Sequence, residues 1–312
     1  MFTAVLFAGL LAASAPVAEG DTVRLCGRDW PVDATELTCQ GSPYSSTLED
    51  GRLPEALAQF PHLTSLTLKR LTLKDCTVLG RLTGLKALDL AHTKVVDPAC
   101  LGAATTIEQL SLRDAKVSGI EPLVLLTQLR ELRMPVRLTD LSPLASVPSL
   151  EVLDLKGTTA TDLKPLGALV NLKRLDLSQA AGVVDASPLK GLEALRHLDL
   201  TATGVKKLTW IKGLAALQHL VLADTAVEDI RPLASLEGLV SLDLAATPVK
   251  RLPRTKRWVA LERLVLSDTF VTKVKRLRKL LTLKHLDLMG TEVSEEEIAK
   301  LTEALPECTI ER

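Results

Sequence analysis

The sequence predicts an α/β solenoid with a parallel sheet along its concave wall and short turns or 3-10 helices along its convex wall. Three observations predict it. A phrase like LRHLDLTATGV (195–205) returns eleven times, opening at Leu63, Leu85, Ile107, Leu129, Leu150, Leu172, Leu195, Leu217, Leu239, Leu261 and Leu283. The step is 22 residues, except for 21 from Leu129 to Leu150 and 23 from Leu172 to Leu195. Aromatic residues are only 3% of the chain, so the core is built from leucine, valine and alanine. A chain of 312 residues would ordinarily divide into two domains, but a repeat array grows by stacking one more unit on the last.

Within one copy, 217–238, each element has its reason. Leu220-Val221-Leu222 alternates with the period of a strand, so the leucines point inward and Val221 outward. Leu217, Val227, Ile230, Leu233 and Leu236 complete the inward set. A buried leucine contributes about 1.5–3 kcal/mol, and one repeat can bury its own only against neighbours. Pro232 opens the return turn, its fixed φ suiting a first helical position; Pro122, Pro143, Pro165 and Pro188 stand near the same phase, and Trp210 replaces proline once. L-x-x-L-x-L at this period is the signature of a leucine-rich-repeat solenoid.

The residue closing the strand turn is threonine in seven copies: Thr93, Thr158, Thr203, Thr225, Thr247, Thr269 and Thr291. A hydroxyl donates and accepts, so a threonine ladder can satisfy buried backbone groups; the role is structural.

The ends differ from the repeats. Residues 2–18, FTAVLFAGLLAASAPVA, form an uncharged apolar run ending in small residues, the pattern of an export signal over 1–20 cut after Gly20. The expected mature chain is exported (periplasmic, envelope-associated or secreted) and has no transmembrane segment. Residues 21–62 read as an N-terminal cap, 63–293 as the eleven repeats and 294–312 as a C-terminal cap. In the last, SEEEIAKLTEAL has helical period, with Ser294 as N-cap and Glu297 three residues on. A truncated copy from Leu305 places Cys308 and Ile310 at the second and third leucine positions.

Five cysteines fit export. Cys26 and Cys39 bracket the segment before the first repeat, where a disulfide would stabilise by roughly 2–3 kcal/mol. Cys76 and Cys100 lie on the return side of neighbouring repeats and could pair; Cys308 is expected to be a buried free thiol. None has metal-ligand spacing.

The pattern L-x-x-L-x-L-x-x-T-x-V-x-D-[IL]-x-P-L-x-x-L resembles the 22-residue, internalin-like class of bacterial leucine-rich repeats. DIRPLASL (229–236), DLSPLASV (140–147) and DLKPLGAL (162–169) carry it best, and the likeness spans 63–310. Threonine for asparagine and the lack of a recognisable surface-attachment module are departures. The resemblance implies protein–protein recognition on the concave face, without catalysis or a cofactor.

Outward strand positions form columns. The central one includes Asp89, Arg133, Asp154, Asp176, Asp199, Val221, Asp243, Val265 and Asp287; the one two residues earlier includes Arg174, His197, His219, Ser241, Arg263 and His285. His197 and His219 are expected on adjacent strands, near Asp199. Three readings stand: a solvated polar ladder, a partner-binding face, and a metal or acid–base site from His197, His219 and Asp199. The columns hold no Trp, Tyr or Phe, so a bound partner would meet a polar, salt-sensitive surface.

Formal net charge is zero, which excludes a whole-molecule electrostatic role. Locally the balance is uneven: from 250 to 284 there are twelve basic residues and two acidic ones. Lys250, Arg251, Arg254, Lys256 and Arg257 share a phase with Lys273, Lys275, Arg276, Arg278 and Lys279 in the next repeat, stacking into one basic flank. It could meet an anionic envelope component or another polyanion, or compensate nearby acidic segments. Nucleic acid is not expected. Phe270 is the best lateral apolar anchor. The irregular stretch 129–150, with Pro135 at its strand end and Arg130, Arg133 and Arg137 nearby, could bend the solenoid or reflect ordinary repeat drift. The reading is an exported, non-enzymatic protein-interaction module; a cytosolic regulatory subunit is the alternative if 1–20 is not a signal.

Overall fold

The computed structural model describes residues 21–41, 48–134 and 137–312. The export signal expected over 1–20 and the strand-end proline at 135 lie outside them.

Residues 21–31 form a hairpin, β1 (Thr22–Leu25) against β2 (Arg28–Pro31), turning through Cys26 and Gly27. Both turn residues have positive φ, 54° and 77°, as a two-residue turn matching the strand twist requires. Then β3 (Glu36–Gln40) pairs in parallel with the strand at Ser65–Lys69, setting Leu37 beside Leu66 and Cys39 beside Leu68. From there a 13-stranded parallel sheet runs in sequence order to Thr309–Glu311. Each step adds a coil: a three-residue strand such as His197–Asp199, a turn, then a short 3-10 helix such as Arg231–Ser235 on the opposite wall. The inward leucines are buried from Leu37 to Leu305 in one continuous core. This is the leucine-rich-repeat solenoid.

Every described strand-end turn from 70 to 290 passes through a left-handed residue two places after the third leucine. Arg70, His92, Asp114, Gln179, Ala202, Asp224, Ala246 and Asp268 have φ between 53° and 63°, and glycine fills the place at 157 and 290. The bend aims its amide at the following coil: Ala202 N–H reaches Ala223 O at 2.9 Å and Asp224 N–H reaches Ala245 O at 2.9 Å. Those backbone bonds offset the cost of a left-handed non-glycine residue.

The threonines behave differently from the expected inter-coil ladder. Thr203, Thr225, Thr247, Thr269 and Thr291 donate to the third leucine of their own coil, at 2.6–2.7 Å. Only Thr93 and Thr158 reach back one coil, to Leu68 O and Leu138 O. A threonine hydroxyl is shorter than an asparagine amide, so it closes its own turn while backbone amides link the coils.

Cys26 and Cys39 are joined by a disulfide, Cα–Cα 5.4 Å, and so are Cys76 and Cys100, Cα–Cα 5.1 Å. The far end closes with an α-helix, α1 (Glu295–Ala304). Ser294 Oγ accepts the Glu297 amide at 3.3 Å, but the Glu297 carboxylate turns to Arg278 instead of back to Ser294.

The last coil corrects two expectations. Ile310 pairs with Leu286, the second leucine position, and Cys308 falls before the strand. Cys308 is half-buried, not a core side chain. The physical reason is α1 itself: an α-helix rises 1.5 Å per residue against about 2.0 Å for a 3-10 helix, so the convex wall consumes more residues before the chain returns. Among the described residues no helix is long and apolar enough to cross a membrane.

Candidate functional site

The sheet presents the two outward columns in register. Arg174, His197, His219 and Ser241 are consecutive neighbours, as are Asp154, Asp176 and Asp199 one pleat further on. Val221 separates Asp199 from Asp243, and Val265 separates Asp243 from Asp287. Arg263 sits beside His285.

The aspartates do more than face outward. One carboxylate oxygen of each accepts the amide two residues ahead: Asp154 from Lys156, Asp176 from Ser178, Asp199 from Thr201, Asp243 from Ala245 and Asp287 from Met289, all at 2.8–2.9 Å. These Asx turns hold the backbone as it leaves the strand for the left-handed bend. The column is thus partly structural, with the second carboxylate oxygen of each outside the turn. Asp154 Oδ2 meets Arg113 at 3.1 Å. Burial pushes the Asp243 carboxyl up from its ordinary value, opposed by the Ala245 amide and by Arg263, with Asp287 and Asp199 adding repulsion.

His197 and His219 stack, ring centroids 4.3 Å apart and planes 14° from parallel. Burial is the main cause holding His197 below its ordinary value, and the charges of His219, Arg174 and Arg196 add to it. Its Nδ1 is buried without a hydrogen-bond partner. Asp199 Oδ1 accepts from both the amide and the hydroxyl of Thr201. Neither imidazole of the pair makes an ion pair with a carboxylate among the described residues, Asp199 included. Among the described residues, no three His, Cys, Asp or Glu side chains are placed to hold a metal.

Beside the histidine column runs a charge ladder that column reading from the strands missed. It occupies the position after the first leucine: Lys86 meets Glu108 at 2.9 Å, while Arg130 and Lys173 meet Glu151 at 2.6 and 2.5 Å. Lys173 and Lys86 hold Glu151 and Glu108 below the usual carboxylate range. The alternation of sign at one repeat phase was the available signal. In the irregular coil, Arg130 thus belongs to the ladder and Arg133 pairs with Glu131 at 2.8 Å.

The basic flank is a second surface, on the convex side. Lys250, Arg251, Arg254 and Lys256 from one coil and Lys273, Lys275, Arg276 and Lys279 from the next line a groove of about 1240 Å³. Two of the ten expected flank residues turn away: Arg257 pairs with Glu237 and Arg278 with Glu297, each at 2.9 Å. The groove also has apolar lining that charge counting missed, namely Leu252, Trp258, Val259, Phe270, Leu280 and Leu281.

Its origin is a local exchange of side-chain size. Where neighbouring coils bury leucine at 233 and 277, this coil buries Thr255; where they place Leu236 and Leu280, it places Trp258. The indole is fully buried and donates from Nε1 to Leu233 O at 2.9 Å. Thr255 donates to Arg276 O at 3.0 Å, and the 3-10 turn shrinks to three residues, Thr255–Arg257, from the five of its neighbours.

Comparison with solved structures shows the same fold. An internalin of Listeria monocytogenes matches with TM-score 0.77 at 23% identity, over 91% of this chain and 83% of its own. A leucine-rich-repeat protein of Leptospira interrogans matches with TM-score 0.73 at 23% identity, over 83% of this chain and 75% of its own. The mouse RP105/MD-1 complex matches with TM-score 0.67 at 21% identity, over 85% of this chain and 48% of the matched chain. No family model and no curated protein matches the sequence. The fold is that of the internalin-like leucine-rich-repeat solenoids.

Proposed function

We propose that this chain is a non-catalytic binding module that recognises a protein partner through its polar concave face. The observation that carries the reading is the register of the sheet. It sets Arg174, His197 and His219 side by side, next to a row of Asp154, Asp176 and Asp199, each with one carboxylate oxygen uncommitted to its turn. A surface with two charge-bearing rows 4.8 Å-spaced by the strands, roughly, favours steering and register over apolar affinity. One solved structure of similar fold is a complex, mouse RP105 with MD-1. Another is a plant peptide hormone receptor, RGFR1, in complex with RGF2.

In this reading residues 1–20 direct export from a bacterial cell, and 21–62 and 294–312 cap a repeat body over 63–293. The mature chain works in the periplasm, at the envelope or outside the cell.

The test must separate charge from turn geometry. Asparagine also closes an Asx turn, so Asp154, Asp176, Asp199 and Asp243 changed together to Asn removes charge and keeps the bend. A second variant carries Arg174→Glu and Arg263→Glu, both exposed. Cross-linked capture from envelope extract is compared with the native chain. A partner held by the native chain and lost by both variants is the expected result. An unchanged capture profile with both overturns the concave face as the recognition surface.

A further inference from the structure

We propose that the groove between the turns at 255–257 and 275–279 is a binding site for an anionic lipid. Its acyl chain would lie along the apolar floor and its phosphate on the basic rim. This goes beyond the concave-face reading and does not depend on it.

The charge argument comes first. Lys250, Arg254, Lys256, Lys273, Lys275 and Lys279 line the groove, and none has an ion pair among the described residues. No Asp or Glu lines it. Outside 250–284, twelve of the twenty-six Lys and Arg side chains meet a carboxylate, as along the ladder of Lys86, Arg130 and Lys173, so the groove is set apart by six unpaired cations standing together with no acidic lining. Compensation of acidic neighbours accounts for Arg257 and Arg278 but not for these six.

The floor supplies the second observation. Val259, Phe270 and Leu281 are 67%, 60% and 79% exposed, three of the nine large apolar side chains left exposed in the described chain. At the phase of Val259 and Leu281, other coils carry Thr83, Thr105, Thr127, Glu193 and Glu237, but also Pro148, Val170 and Ala215, and Val170 is itself exposed. What sets the groove apart is that two adjacent coils both carry a large aliphatic side chain there, with Phe270 beside them. Covering them with methylenes removes apolar area from water. The volume of about 1240 Å³ exceeds the usual small-ligand pocket of roughly 300–1,000 Å³, giving room for a chain.

Hydrogen bonding favours a lipid over an acidic peptide. Two backbone carbonyls at the floor are already used, Leu252 O by Arg276 at 2.5 Å and Arg276 O by Thr255 at 3.0 Å. A peptide brings amides that need acceptors, and the rim offers mainly cations. An acyl chain needs none.

Calorimetric titration of the full chain tests this with four probes: dodecyl phosphate below its micelle threshold, dodecyl maltoside, inorganic phosphate and a Glu/Leu peptide. Dodecyl phosphate is expected to saturate one site per chain and to bind at least about tenfold more tightly than the maltoside or the peptide. Phe270→Ser and the pair Lys273→Glu with Lys275→Glu should each weaken it at least about tenfold, with unchanged circular dichroism. If a charge-reversed chain misfolds, Lys250→Gln with Lys273→Gln replaces it and should weaken binding in the same direction. Equal affinity in the variants overturns the proposal. So does full competition by phosphate alone, which would mean a plain anion site, or tighter binding of the peptide, which would mean a peptide groove.

Discussion

Asp199 Oδ1 accepts the Thr201 amide at 2.8 Å, and the same two-residue turn recurs at Asp154, Asp176, Asp243 and Asp287. The outward aspartate is therefore a fastening of the coil as well as a surface charge. Asp176→Ala should lower stability by about 0.5–1.5 kcal/mol, the net worth of one such bond, whereas Asp176→Asn should stay within about 0.5 kcal/mol of native. Urea unfolding measures both. Equal losses for Ala and Asn would show that charge, not the turn, stabilises the column.

At Asp243 the balance shifts, because burial already disfavours the charged form. Asp243→Asn keeps the bond to Ala245 and removes a half-buried charge, so it should unfold at equal or higher urea than native at neutral pH. A clear loss of stability in that variant would sink this account.

The stacked pair His197 and His219 gives a pH dependence with a definite sign. The unfolded chain takes up a proton on His197 near 6.5, while the folded chain, with the imidazole half-buried beside His219, Arg174 and Arg196, takes it up only at lower pH. Protons then bind the unfolded state preferentially, so stability is full above about 6.5 and is lost as the pH falls below it toward the lower folded value. Unfolding curves at pH 7.5 and 5.5 should show a smaller acid loss for His197→Gln than for the native chain. Identical losses would remove His197 from the effect.

The repeat phase made most of this architecture legible in the sequence. Leucines at a 22-residue step specify which side chains point inward, and the strands from Ser65–Lys69 to His285–Asp287 fall where that phase places them. The neighbouring of His197 and His219 followed from the same step. What escaped depends on packing that no single phase records. The last coil slips by two residues because α1 spends more residues per ångström of rise than the 3-10 turns of the other coils. The groove arises from Thr255 and Trp258 exchanging bulk between two leucine positions, visible in the letters only as two unrelated departures.

That exchange predicts non-additivity. Trp258→Leu should cost on the order of 2–4 kcal/mol, through a cavity and the loss of the indole donor to Leu233 O. Thr255→Leu alone should overpack against the same indole, at about 1–3 kcal/mol. Made together, the two changes restore the pattern of the adjacent coils and should cost less than the sum by about 1 kcal/mol or more. Additive losses in denaturant unfolding would mean the two positions are independent.

The two disulfides both lie in the first coils, Cys26–Cys39 and Cys76–Cys100. Each closes a loop short enough that its removal should cost about 3 kcal/mol if unfolded-chain entropy dominates. In a solenoid each coil contacts only its neighbours, so the loss should stay local instead of spreading evenly. Reduction is therefore expected to speed amide exchange in the strands at Glu36–Gln40, Ser65–Lys69 and Ala87–Asp89, while Ser241–Asp243 and Arg263–Val265 keep their protection. Exchange that accelerates equally along the whole sheet would show that the coils unfold as one unit and that the N-terminal cross-links stabilise all of it.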